Sequence, residues 1–156
     1  MSQGSPAVSR QRPRPSLLYA VKQVELIVRA HLDDLLRDSG VTALQYTALT
    51  VLARRDRLTS AELARNSFVT PQAMADLVNS LERGGFIVRH RNPDNRRQLL
   101  ISLTPDGHRL LARFDAPVAG LETRMLEGFD EVERERFRDY LNRARSSLEV
   151  APPREQ

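Results

Sequence analysis

The stretch from Phe68 to Gly107, FVTPQAMADLVNSLERGGFIVRHRNPDNRRQLLISLTPDG, constrains the fold more than any other part of the chain. Thr70 can cap a helix, and Pro71 at its first position gives up an N–H that has no partner there. Val69 and Met74 are spaced for a hydrophobic staple. Met74, Leu77, Val78 and Leu81 recur at the helical period and define one buried face. The other face carries Gln72, Asp76, Asn79 and Arg83, with small Ala73 and Ala75 beside them. Gly84–Gly85 ends the helix, where a residue must take positive φ. Two β-rich runs follow, Phe86–His90 and Gln98–Leu103, on either side of a turn-prone loop, Arg91–Arg97, that holds three arginines. Helix, strand, basic loop, strand is the outline of a winged helix: a helix for the major groove of DNA and a hairpin for its backbone and minor groove. The competing reading is a surface helix with an ordinary charged hairpin, and the flanking sequence separates the two.

Upstream, Ser16 to about Asp38 reads as a long helix. Leu17, Val21, Val24, Val28, His31/Leu32 and Leu35 trace one stripe, widened by Leu18, Ile27 and Leu36, and Gly40 stops it. So broad an apolar face exceeds what one small neighbour covers, which points to a second subunit. Thr42 to about Arg54 is a second helix, with Thr42 and Gln45 as a capping box and Val41 and Tyr46 as a staple. Leu44, Ala48, Val51 and Leu52 are expected to face the core, with Tyr46 and Leu49 on a neighbouring strip. Thr59 to about Asn66 is a third, short helix with its own capping box, Thr59 and Glu62, and Leu58 placed to staple to Leu63. Ser67-Phe68-Val69 joins it to the helix that begins at Thr70. Two short helices joined by a tight turn are helix-turn-helix geometry.

Downstream, Thr104-Pro105 starts a fifth helix. Pro117 and Gly120 predict a kink or break near Asp115–Ala116. Asp130 and Glu133 cap a sixth helix that runs to about Glu149 with Val132, Phe137, Tyr140, Leu141 and Leu148 as its apolar positions.

Composition narrows the function classes. The chain has 156 residues and a net charge of +4, and Lys22 is the only lysine among 24 basic residues. Arginine suits bidentate phosphate and base contacts. A GC-rich genome accounts for much of that bias, but not for where the arginines sit. The absence of cysteine excludes disulfides, Cys-based zinc sites and thiol-based oxidant sensing. No apolar run approaches the roughly 18 residues of a membrane span. Residues 1–15 read as a disordered basic arm with Arg10, Arg12 and Arg14, and residues 151–156 as a disordered tail. With no apolar signal core near the start, the expected location is the cytoplasm, without membrane partners. The nucleotide-binding, hydrolase and metalloprotease motifs are missing. His31, His90 and His108 are scattered, so no catalytic or metal site is expected.

From about residue 16 onward the chain resembles the MarR family of winged-helix transcription regulators. Family members usually carry Asp-x-Arg at the wing tip and then Leu-Thr-x-x-Gly. Leu103-Thr104-Pro105-Asp106-Gly107 matches the second half, and Arg97 falls on the wing-tip arginine. Asn95 stands where the aspartate is usual, so either Asp94 or Asn95 itself is expected to orient Arg97. Leu81-Glu82-Arg83-Gly84-Gly85-Phe86 matches the usual end of the recognition helix. Asp76 departs from the basic or neutral residue of many members; a carboxylate there repels phosphate but can accept from a cytosine amino group.

The resemblance implies a mainly α fold with a small β-hairpin wing. A single domain over 16–150 would have dimerisation helices at 16–40 and 105–149 around a winged helix-turn-helix lobe at 42–104. It implies a homodimer on double-stranded DNA, its two recognition helices in successive major grooves of a pseudo-palindromic operator. On this reading Gln72, Ala73, Asp76 and Asn79 face base edges. Ser67 and Thr70 sit at the helix start, where phosphate is favoured. Arg97 with Arg96 enters the minor groove, and Arg89 and Arg91 hold the backbone. No cofactor is implied. The effector class is a small aromatic or phenolic molecule, bound in a cleft to which His31 and Tyr46 would contribute polar groups; the other reading of both is as satisfied core or interface residues. The function is then a ligand-responsive repressor, against the alternatives of a sequence-independent architectural DNA binder or a small enzyme.

Overall fold

Among the described residues, hydroxyl caps set where five of the six helices begin. In the computed structural model, which describes residues 13–149, Ser16 opens α1 (Leu17–Leu35) and Thr42 opens α2 (Ala43–Arg54). Thr59 opens α3 (Ser60–Ser67), Thr70 opens α4 (Pro71–Arg83), and Thr104 opens α5 (Pro105–Met125). In each case the cap oxygen accepts the N–H three residues on, which stabilises a helix by about 1 kcal/mol. Gln45 and Glu62 complete the two expected capping boxes. α6 (Glu131–Glu149) starts at Asp130, whose carboxylate accepts from Glu133 N at 2.8 Å while Glu133 accepts from Asp130 N at 2.9 Å. The expected arm and tail lie outside the described residues, except for Pro13–Pro15, which are exposed and irregular.

α2, α3, α4 and the start of α5 enclose one core. Leu49, Leu52, Leu63, Met74, Leu77, Val78, Leu81, Leu110, Leu111 and Phe114 meet there with Leu36 from the end of the first helical segment. Each such side chain contributes roughly 1.5–3 kcal/mol on leaving water. The expected face of α2 needs correction. Tyr46, Ala48, Leu49 and Leu52 are buried, whereas Leu44 is exposed and Val51 only half-buried. The helix is apolar on several sides, and packing against α5 selects the strip: the Tyr46 ring meets Phe114 edge-on, 6.5 Å between centroids.

α4 ends in a Schellman motif. Phe86 N–H donates to Leu81 O at 3.0 Å and Gly85 N–H to Glu82 O at 3.0 Å, with Gly85 at φ +80°. The wing follows as β1 (Ile87–Asn92) and β2 (Asn95–Leu103), antiparallel, with Ile87 opposite Leu103 and Arg91 opposite Leu99. The expected loop over Arg91–Arg97 shrinks to the turn Pro93-Asp94. Beyond Arg91 the register shifts, so that Asn92 pairs with Asn95 and Arg96–Gln98 bow out of the ladder. Asparagine side chains make this possible. Asn92 donates to Gln98 Oε1 at 3.1 Å and accepts from Asp94 N at 3.0 Å, and Asn95 Oδ1 accepts from Arg97 N at 3.2 Å. A further antiparallel bridge, Leu58 to Ile101, ties the α2–α3 connection to β2.

The break expected in α5 does not occur. Pro117 lies inside a helix that runs on to Met125. A proline there removes one backbone hydrogen bond, to the carbonyl of Arg113, but does not by itself end a helix.

No residue of α1 or α6 is buried in the single chain. Leu17, Leu18, Ile27, Val132, Tyr140 and Leu148 are all more than half exposed. α1 touches the lobe through a polar contact at its end, where Asp33 Oδ1 accepts from Ala43 N at 3.0 Å. From there Gln45 reaches on to α4, donating to Ser80 Oγ at 3.1 Å.

Thr104 joins the wing to α5. Its hydroxyl donates to Gly85 O at 2.6 Å and accepts from Gly107 N at 3.1 Å, and its N–H donates to Phe86 O at 3.1 Å. A Cβ on Gly107 would stand 2.3 Å from the Phe86 carbonyl oxygen. Gly107→Ala is therefore expected to destabilise the fold by roughly 1–3 kcal/mol or more. Gly120→Ala meets open space inside the same helix and is expected to be neutral or stabilising by up to about 1 kcal/mol. The urea midpoints of the two variants check the contrast.

Candidate nucleic-acid interface

α4 is the second helix of a helix-turn-helix. The turn that precedes it is set by Phe68, which takes the left-handed conformation at φ +58° and caps α3 through its N–H to Ala64 O. That conformation is uncommon for an aromatic residue. The Phe68 side chain is 72% exposed, at the mouth of the turn. Met74, Leu77, Val78 and Leu81 then face the core, which leaves Gln72, Ala73, Asp76 and Asn79 exposed along the outer side. The expected base-facing residues thus share one accessible face. Thr70 is exposed at the helix start, its Oγ1 accepting from Ala73 N at 3.1 Å. Ser67 does not join it. The residue is 5% exposed, and its hydroxyl is buried without a hydrogen-bond partner among the described residues. It is the last residue of α3, where the inward face leads into the core, so it leaves the set of phosphate contacts.

Arg89 is placed differently from the expectation. Rather than reaching outward, it grips Glu82 of α4, with Nε and Nη2 donating to the two carboxylate oxygens at 2.9 and 2.8 Å. Nη2 also donates to Asn79 Oδ1 at 3.1 Å. The guanidinium holds the Glu82 carboxyl below the usual carboxylate range, and the carboxylate raises the arginine in turn. Sequence periodicity did not show this pairing, because the partners are seven residues apart across the Gly84–Gly85 turn.

On the wing, Arg91, Arg96 and Arg97 are exposed. No ion pair among the described residues reaches any of them. Asn95, not Asp94, organises Arg97, and it does so through the backbone N–H rather than the guanidinium. Between the wing and α3 runs a polar groove of about 700 Å³, lined among others by Arg57, Arg65, Glu62, Asn92 and Asp94. Arg57 and Arg65 add positive charge near the wing that the sequence reading left out. Glu62 and Asp94 offset it, so the groove is not a purely cationic surface.

The two residues expected at an effector cleft do not meet. Tyr46 is buried against Phe114, and burial first, then the Asp115 carboxylate, raises the phenol's pKa. His31 lines a separate hollow between α1 and the end of α5, beside Leu121 and Arg124. The large apolar cleft, about 550 Å³, lies instead among α1, α2 and α6, with Val28, Leu32, Leu44, Thr47 and Phe137 on its walls. Neither His31 nor Tyr46 reaches it, because Tyr46 is on the opposite side of α2 from Leu44. Among the described residues no cluster of three metal-ligating side chains occurs, and no helix is long and apolar enough to cross a membrane.

Comparison with known proteins fits this geometry. Residues 39–98 match the family model described as MarR family. An HTH-type transcriptional repressor of Mycobacterium tuberculosis is 30% identical over 125 residues, which cover 80% of this chain and 90% of the relative. The chain belongs to the MarR family. Among solved structures, transcriptional regulator PA3341 superposes with a TM-score of 0.79 at 31% identity, covering 87% of this chain and 100% of the other. The transcriptional repressor CouR, bound to a 23-mer DNA duplex, gives 0.74 at 26% identity, with 83% and 92% covered. This MarR-family chain is a winged-helix transcriptional regulator, and its relatives are regulators rather than enzymes.

Proposed function

We propose that the protein is a homodimeric repressor that reads a pseudo-palindromic operator with α4 and steadies itself on DNA with the wing. The observation that carries this reading is the outer face of α4. Its inner face is spent on the core, and Gln72, Ala73, Asp76 and Asn79 remain exposed in one row, while the wing that follows α4 exposes Arg91, Arg96 and Arg97. The names of the Mycobacterium tuberculosis relative and of CouR support repression, and the CouR structure supports DNA as the partner. A dimer is supported by α1 and α6, two long helices with apolar stripes and no buried residue. A second copy would cover them and place two α4 helices about one DNA turn apart.

Effector control belongs to the same proposal. A small aromatic or phenolic acid would fit the part of the apolar cleft lined by Leu32, Ala43, Leu44 and Thr47, its carboxylate competing with Glu25 for Arg29. The exposed cleft residues Leu17, Val21 and Leu141 would be covered by the second copy.

Five outcomes are expected. Sedimentation should show a dimer at micromolar concentration, and a folded monomer there would overturn the assembly. Removing the chain from Asp130 onward should cause aggregation or unfolding. On duplexes selected from a randomised pool, Gln72→Ala should lose on the order of 1–3 kcal/mol, and much less on random DNA. Arg97→Ala should weaken selected and random duplexes alike and flatten the slope of log affinity against log salt by about 0.9. An unchanged slope and unchanged affinities for Arg97→Ala would remove the wing from the interface. Finally, titration with 4-hydroxybenzoate should raise the melting temperature and release DNA; if neither moves, the effector part fails and the DNA part stands.

A further inference from the structure

Asn79 stands on the outer face of α4, and its amide is not at liberty to turn. Its Oδ1 accepts from Arg89 Nη2 at 3.1 Å. A guanidinium carries only donors, so the amide oxygen must face it and Nδ2 is left as the outward end. Arg89 is fixed in its turn by the two-pronged contact to Glu82, at 2.9 and 2.8 Å. Such a fork has one geometry, and a lysine could not reproduce it. Glu82 lies one helical turn beyond Asn79 and Arg89 lies on β1, so the three side chains close a bracket from helix to wing and back to helix.

We propose that Glu82 and Arg89 are positioning residues that fix Asn79 as a hydrogen-bond donor, so that it selects a base offering acceptors in the major groove. This rests on the reading of α4 as the helix that enters the groove. Guanine presents N7 and O6 side by side as acceptors, whereas cytosine presents only its N4 amino donor. An unrestrained asparagine bonds adenine through both ends of its amide. With its oxygen turned towards Arg89, Asn79 no longer aims both ends of its amide at one base, and guanine, with two adjacent acceptors, is favoured over adenine and thymine, which present one each. The bracket has a second effect. The Glu82 carboxylate offsets the Arg89 charge, so this arginine adds no net attraction for phosphate.

The test is a selection from a randomised duplex pool with the full chain and with Asn79→Ala, Asn79→Asp and Glu82→Ala, followed by salt titrations. The wild-type protein should prefer guanine at one position per half-site. Asn79→Asp keeps an oxygen for Arg89 but offers no donor. It should lose that preference as completely as Asn79→Ala, on the order of 10-fold. Glu82→Ala should relax the same position by a similar factor and leave the other positions intact. It should also steepen the salt slope on random DNA by about 0.9, as Arg89 is released to a phosphate. A purely structural role for Glu82 would blur every position and would not steepen the slope. Retention of the guanine preference by Asn79→Asp or by Glu82→Ala overturns the inference and leaves the groove reading in place. Absence of any preference in the wild-type protein overturns the groove reading, and the inference with it.

Discussion

One hydroxyl holds the DNA-facing lobe together. Thr104 Oγ1 donates to the Gly85 carbonyl at the end of α4 and accepts from the N–H of Gly107 in the first turn of α5. The same residue's N–H reaches Phe86 at the root of β1. The end of the recognition helix, the root of the wing and α5 therefore converge on a single residue. Gly107 is required because the Phe86 carbonyl occupies the space where a Cβ would go. The Leu-Thr-x-x-Gly signature is in this sense a packing statement: Leu103 ends the strand, Thr104 bonds the helix end, and glycine lets two backbones touch. If the junction loosened, the wing would lose its fixed angle to α4.

What the sequence revealed and what it hid divide along a physical line. Helix starts were readable because a cap and its acceptor are three residues apart, as at Thr42, Thr59, Thr70 and Asp130. The buried face of α4 was readable because only one side of that helix is apolar. α2 is apolar on several sides, and there the packing of the core, including Phe114 against Tyr46, turns Tyr46 inward and Leu44 outward. The wing tip tightened because Asn92 and Asn95 bond their own neighbourhood, which a composition-based reading sees only as loop. Ser67 and the Glu82–Arg89 pair were hidden for a related reason. Their surroundings are set by the angle between elements, which no local spacing encodes.

The interface separates two kinds of charge. Arg91, Arg96 and Arg97 are exposed on the wing, where attraction to phosphate is general and salt-dependent. Arg89 is bound into the protein by Glu82 and Asn79, where its directionality matters more than its charge. On the proposed reading Asp76, also exposed on α4, would oppose phosphate and add discrimination rather than attraction. A net charge of only +4 is consistent with a surface on which cations are placed selectively.

The bare stripes of α1 and α6 have a consequence of another kind. If a second copy supplies their cover, folding and assembly become one equilibrium governed by mass action. The apparent stability of the protein would then rise with its own abundance, and dilution would act as a mild denaturant. A repressor built this way would couple occupancy of its site to its copy number twice over, once through binding and once through the integrity of the fold itself.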